Sequence, residues 1–312
     1  MNLVLLTLKN NKTFITEVIF LGFQTSKEIS IFVFLLLLTV YLLTLFGNLL
    51  IILLVYNSNS LHTPMYFFLT QLSLSDIMLT TDIAPNLLYI LLHKGTSMPL
   101  TNCILQQFIF VVMECSECLL LTVMSYDRYL AICKPLQYMS IMNNLFCMHL
   151  IIISWSLSIC CMMVGAITIA CLNFCGPNII DHFFCDYLQL LSLSCSDTFW
   201  ILLEMILNSI PFLFLPFLIV IISYSYVIFT ILKIPSNAGK QKAFSTCSSH
   251  LMVVCIFYVT LIVIYDLPAN EQSLTIRKLA SLFYTMGTPL INPIIYSLRN
   301  RDIKFAFAKL KK

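Results

Sequence analysis

Apolar residues run through this chain in seven long stretches, roughly 29–56, 64–92, 101–133, 145–170, 199–232, 243–266 and 275–297, separated by polar connections. Each is long enough to cross the ~30 Å hydrocarbon core of a bilayer as a helix rising ~1.5 Å per residue. Only the connection at 171–198 is long, so there is no room for a separate soluble domain and 1–312 reads as one unit. The pattern predicts an all-α membrane protein, a seven-transmembrane helix bundle. A last segment, about 299–311, sets Phe305 and Phe307 among basic residues. It is too short to span and reads as a short amphipathic C-terminal helix lying on the anionic lipids of the inner leaflet.

Polar residues inside the third stretch are not scattered. At ~100° per residue, Gln107, Glu117, Cys118, Ser125 and Arg128 all fall within about 60° of Glu114, on one side of a helix. Carboxylates and a guanidinium facing lipid cost several kcal/mol, so this stripe is expected to face protein or a wet cavity. Glu114 and Arg128 would lie ~21 Å apart along the axis. Polar groups at two depths of one helix suit a protein that senses at one face and responds at the other. Asp76, in the second stretch, is expected at the depth of Glu117. Two carboxylates in apolar surroundings share a proton, or hold a sodium ion or water between them. Asn48, after Gly47, reads as a buried amide bonded to a neighbouring helix. Pro85, the Pro211/Pro216 pair and the Pro289/Pro293 pair predict departures from regular helix, and the Tyr258 hydroxyl needs a partner inside the bundle.

Composition narrows the class. With 60% hydrophobic and only 10% charged residues, the chain cannot cover a soluble core. Basic residues collect on one side of the predicted membrane at Arg128, Lys134, Lys233, Lys240, Lys242 and after 298. That side is expected to be cytoplasmic, which puts the N-terminus outside and the C-terminus inside the plasma membrane. The net charge of +3 points to no nucleic acid. The N-terminal LVLLTL lacks the marks of a signal peptide, so the first span is expected to be its own insertion signal. Asn11 heads an Asn-Lys-Thr sequon on the outer side, a candidate glycosylation site. Most of the 13 cysteines lie inside spans. Cys103, Cys175, Cys185 and Cys195 lie outside the cell, where they are expected to form disulfides, and four cysteines allow three pairings. The five histidines show no metal-ligand spacing; a weak metal candidate is His182, Cys185 and Asp186, and otherwise no metal is expected. No nucleophile with a base points to an enzyme, and the halves lack the duplication expected of many transporters.

Four blocks carry a resemblance: LHTPMYFFLTQLSLSD (61–76), MSYDRYLAICKPLQY (124–138), SYSYVIFTILKIPSNAGKQKAFSTCSSHL (223–251) and PLINPIIYSLRNRDIK (289–304). With GPNIIDHFFCDYLQLLSLSCSDT in the long loop, the chain resembles an olfactory receptor of the vertebrate odorant-receptor family, within the rhodopsin-like G-protein-coupled receptors. The resemblance implies disulfides Cys103–Cys185 and Cys175–Cys195. It implies an activation switch at Asp127, Arg128 and Tyr129, with Tyr224, Tyr258, Asn292, Pro293 and Tyr296 relaying movement. It also implies an odorant cavity between the third, fifth, sixth and seventh spans, capped by the 171–198 loop. At helical spacing the residues facing it would be Phe110, Val111, Glu114, Cys115, Cys118, Asn208, Leu261, Ile262 and Tyr265. The expected partners are a small, mostly apolar volatile odorant and a heterotrimeric G protein of the olfactory stimulatory type that raises cyclic AMP. A non-olfactory chemosensory receptor is the alternative, and a small-molecule transporter stands behind it. Three positions depart from the family pattern. Val259 stands where Phe-Tyr-Gly-Thr has glycine, beside the cavity; Asn86 follows Pro85 in place of lysine; Glu114 replaces a small or uncharged residue. Glu114 is either a selector for amines and other hydrogen-bond donors or a neutral carboxyl bonded to a neighbouring helix.

Overall fold

The computed structural model describes residues 15–175, 177–266, 271–299 and 301–310. The candidate glycosylation site Asn11 and the side chain of Tyr265 lie outside the described residues. The long helices are α1 (Lys27–Asn57), α2 (Pro64–His93), α3 (Leu100–Cys133) and α5 (Asn144–Ala170), with a short α4 (Pro135–Ile141) between the last two. A loop helix α6 (Tyr187–Ser192) precedes α7 (Phe199–Ser209) and α8 (Leu215–Lys233), and then come α9 (Asn237–Asp266), α10 (Glu271–Leu282), α11 (Thr288–Arg299) and α12 (Arg301–Leu310). Local chemistry sets the ends. Pro64 opens α2 and Pro135 opens α4, where a missing N–H costs nothing. Asn143 caps α5 by accepting the Phe146 N–H at 2.9 Å.

Among the described residues, five helical stretches are long and apolar enough to cross a membrane: Lys27–Asn57, Leu100–Cys133, Asn144–Ala170, Phe199–Lys233 and Cys247–Ile264. Their exposed faces are apolar, as in α1 with Phe32, Leu35, Leu42 and Phe46. α2 is not among the five, because it carries Gln71, Ser73, Ser75, Asp76, Thr80 and Asp82 within a few turns. The proline pairs act through π-helical turns. One occupies Ile210–Phe214, around Pro211 and just before Pro216, and the other occupies Phe283–Gly287, just before Pro289. A wider turn absorbs the N–H that proline lacks without ending the helix.

The all-α expectation needs one correction. A small sheet of order β2-β1-β3 joins β1 (Glu17–Phe20), β2 (Thr96–Pro99) and β3 (Ile179–Ile180). β1 runs antiparallel to β2, with Glu17 opposite Pro99, and parallel to β3, with Phe20 opposite Ile180. Val18 and Phe20 point into the core while Glu17 and Ile19 face out, the period-2 pattern of a half-buried strand. Gly22 follows with φ +60, and a Cβ there would meet Ile90 Cγ2 at 2.3 Å, so only glycine fits this turn.

The chain forms two compact units whose boundaries fall inside helices. The first comprises Met1–Leu38, Asp82–Val111 and Cys160–Asn208, with a core around Phe20, Leu87, Phe183, Phe184 and Leu190. The second comprises Thr39–Thr81, Val112–Ile159 and Ser209–Lys312, with a core around Phe68, Leu79, Leu121, Phe257 and Tyr296.

Candidate functional site

The polar stripe on α3 is buried. Gln107, Glu117, Cys118 and Ser125 are each at most 4% exposed, and the Arg128 side chain is 11% exposed. Glu114 is half-buried on the same face.

In the first unit the long loop is held from several directions. Cys103 is bonded to Cys185, with Cα atoms 5.4 Å apart, and Cys175 to Cys195. Gln106, also on α3, accepts the Cys185 N–H at 3.0 Å through Oε1 and donates from Nε2 to the Asp82 carbonyl at 3.0 Å. Phe184 packs on Phe110 with ring centroids 5.0 Å apart and belongs to a cluster with His182 and Phe183. Asn86 reaches the Phe183 carbonyl at 3.4 Å. The Tyr187 hydroxyl donates to the Ile201 carbonyl of α7 at 3.2 Å. Residues 184–187 therefore bridge α3 to α7. Of the residues proposed to face a ligand, Phe110 is buried in this unit and Val111 and Asn208 are half-buried. The metal candidate at His182, Cys185 and Asp186 fails, because Cys185 is spent in a disulfide. No metal-ligating cluster is found among the described residues.

The second unit holds the switch residues. Arg128 is paired with the buried Asp127, its Nε donating to Asp127 Oδ2 at 2.9 Å. The other carboxylate oxygen accepts the Tyr138 hydroxyl from α4 at 2.8 Å. Burial first, and then the Asp127 charge, push the Tyr138 phenol above its ordinary range, so it remains a donor. Tyr129 stacks against Tyr126 and meets the edge of Tyr226 on α8. Tyr224 and His250 join α8 to α9, with the hydroxyl 2.5 Å from Nδ1 in a fully buried pair. Tyr138 and His250 were not singled out in the sequence, since only the fold brings them to their partners.

Asn292 donates from Nδ2 to both oxygens of Asp76 at 3.1 Å, joining α11 to α2. Ser75 donates to Glu117 Oε1 at 3.3 Å, and the Asp76 and Glu117 carboxylates interact electrostatically. Pro293 cannot supply the N–H that the Pro289 carbonyl would receive in a regular helix. Asn48 of α1 supplies it instead, donating to that carbonyl at 3.0 Å, and the Asn48 residue is fully buried. Gly47 makes this approach possible, because a Cβ there would already press on Pro293 Cγ at 3.2 Å. Replacing Asn48 by alanine is expected to cost about 1–3 kcal/mol, the penalty for a buried carbonyl left without a donor. A thermal melt of the purified protein checks this, and an unchanged midpoint would contradict it.

The remaining ligand-facing candidates divide. Cys115, Cys118 and Leu261 are buried, with Cys118 beside Tyr258, whereas Ile262 is 52% exposed. Successive helical residues turn ~100° apart, so Leu261 and Ile262 take different faces of α9. Val259 is 59% exposed, which corrects the expectation that it stands beside the cavity. Tyr258 and Leu261 hold the inward face there.

Comparison with known proteins places this arrangement. The olfactory receptor family model matches residues 37–311. The chain is 43% identical over 301 residues to olfactory receptor 6B1 of Homo sapiens, covering 96% of each. It is 44% identical over 302 residues to olfactory receptor 5G3 of Homo sapiens, covering 96% of this chain and 95% of the relative. It is 43% identical over 301 residues to olfactory receptor 1496 of Rattus norvegicus, covering 96% and 97%. The relatives are receptors rather than enzymes, and with its apolar helices the chain is a multi-pass membrane protein. It belongs to the olfactory receptor family.

Proposed function

We propose that this chain is an odorant receptor of the plasma membrane. It spans the bilayer seven times with its N-terminus outside, and it activates a heterotrimeric G protein of the olfactory stimulatory type, raising cyclic AMP. The observation that carries this reading is the buried stripe on α3, with Glu114 at one depth and the Asp127–Arg128–Tyr138 cluster at another, in a chain of this family. The ligand is small and mostly apolar. Phe110, Val111, Cys115, Cys118 and Leu261 contribute hydrocarbon contact, worth ~25 cal/mol per Å² of apolar surface buried. Tyr265 completes the set, and Glu114, Asn208 and Tyr265 are its polar members.

Of the two readings of Glu114, the neutral carboxyl hydrogen-bonded to a neighbouring helix is the one adopted for this receptor. Glu117 lies one turn away on the same helix, and two ionised carboxylates so placed in apolar surroundings repel. Asp76 and Glu117 share a proton or hold a sodium ion, with Asn292 and Ser75 fixing their oxygens. α12 buries Ile303 and Ala306 and leaves Phe305 and Phe307 to rest on inner-leaflet lipid. Ligand binding that favours the signalling conformation by a few kcal/mol shifts the population toward it.

The test is cyclic AMP in cells that express this chain with an olfactory stimulatory G protein, challenged with a panel of odorants. A ligand-dependent rise is expected, and uptake or turnover of labelled ligand without that rise would contradict a receptor. In the same assay Glu114→Gln, which keeps a donor and an acceptor, is expected to retain neutral-odorant potency within about threefold. A general loss of those responses would show that the carboxyl itself is required.

A further inference from the structure

One acidic side chain in the first unit has no role in the site described so far. Glu204 lies on α7, and its Oε1 is shielded from solvent with no hydrogen-bond donor among the described residues. The ion pair found among those residues joins Arg128 to Asp127, so no cation neutralises Glu204 there. Oε1 packs toward Gly165 on α5, 3.4 Å from where a Cβ would stand, an ordinary contact distance, so α5 helps to shield it. A carboxylate oxygen shielded from water without a donor is costly, and its cost is relieved by a donor that brings a counter-charge.

The neighbouring groups define which counter-charge fits. Tyr187, in the loop that bridges α3 to α7, feels the Glu204 charge. Its hydroxyl proton is already committed to the Ile201 carbonyl, so its oxygen has only lone pairs left to offer. Asn208 stands one helical turn beyond Glu204, on the same face of α7, and adds an amide oxygen. Glu204 and Tyr187 thus present acceptors. A ligand carbonyl, itself an acceptor, would find only the Asn208 amide N–H in such a corner, whereas an ammonium brings three donors and a positive charge to all three groups.

We infer that Glu204, with Tyr187 and Asn208, forms an acidic subsite that takes the ammonium end of a small primary aliphatic amine. The inference rests on the odorant-receptor reading above and names a ligand class for it. The hydrocarbon tail of the amine meets Phe110 and Val111 of the same unit, and the loop over residues 184–187 holds Tyr187 in place through its disulfide and its bond to α7. Glu204→Gln preserves shape and one acceptor oxygen but removes the charge.

The test compares hexylamine with 1-hexanol on the full chain and on Glu204→Gln, by two readouts. One is cyclic AMP in cells, normalised to surface delivery. The other is thermal stabilisation of the purified receptor at neutral pH, where the amine is protonated. The subsite predicts that hexylamine acts on the wild type and loses about tenfold or more in potency in Glu204→Gln, while 1-hexanol changes by less than about threefold. Equal amine potency in the two proteins would overturn the subsite and leave the receptor reading standing, and so would a wild type that answers other odorants but not hexylamine. Should cyclic AMP stay flat for every odorant, the signalling reading fails. Stabilisation by hexylamine still decides the subsite in that case: it is upheld by a shift seen in the wild type and lost in Glu204→Gln, and overturned by its absence from the wild type.

Discussion

Replacing Cys185 by serine is expected to abolish ligand responses and most surface delivery, while the same change at Cys195 costs much less. The two disulfides support different amounts of structure. Cys185 ties the loop to α3, and the same short stretch seats Phe184 on Phe110 and the Cys185 N–H on Gln106. Without the bond, the roof over Phe110 and the Tyr187 bridge to α7 lose their common anchor. Loss of a native disulfide of this kind costs about 2–5 kcal/mol. The Cys175–Cys195 bond is backed by neighbouring backbone pairs, Cys175 N–H to the Leu193 carbonyl at 3.2 Å and Cys195 N–H to the Asn173 carbonyl at 2.9 Å. Those pairs persist when the sulfurs are removed. Surface labelling and thermal melts of the two serine variants measure the difference, and equal losses would contradict it.

The second large effect concerns Asp76 and Asn292. Asn292→Asp turns two donated hydrogen bonds into a confrontation of buried carboxylates, with Glu117 already interacting with Asp76. Breaking a buried charged contact in this way costs about 3–5 kcal/mol. The exchanged pair, Asp76→Asn with Asn292→Asp, restores one amide facing one carboxylate. The single variant is therefore expected to fail at the surface and the double variant to recover a substantial part of the delivery. A double variant as impaired as the single one would show that the two residues do not act as a pair.

The sequence carried the helices because long apolar runs between polar connections leave few other folds for a chain of this composition. It also carried the burial of Gln107, Glu117, Cys118 and Ser125, since one face of a helix is fixed by a rotation of ~100° per residue. Asn48 was legible for a related reason: an amide within an apolar span has to find a partner, and it found the Pro289 carbonyl. Other features gave no periodic signal. Strands of two and four residues are too short to show alternation, so the sheet of β1, β2 and β3 went unseen. Tyr138 with Asp127, Tyr224 with His250 and Gln106 with Cys185 are brought together by folding alone. At Val259 and Ile262 the helix was foreseen but its rotation was not, because an apolar run surrounded by lipid looks alike on every side. Glu204 was visible as a carboxylate in a span, and its missing donor became apparent only once α5, α6 and α7 were placed around it.

The measurement closest to the central claim is cyclic AMP in cells that carry either this chain or Arg128→Ala, with the two matched for surface delivery and given the same odorants. Arg128 is held by Asp127 at one end of the α3 stripe, where signalling is expected to leave the molecule, and far along the helix from Glu114. A ligand-dependent rise in the wild type that disappears in Arg128→Ala, with odorant binding retained, is the predicted result. A variant that signals as strongly as the wild type would contradict the claim that α3 joins ligand recognition to an Arg128 switch.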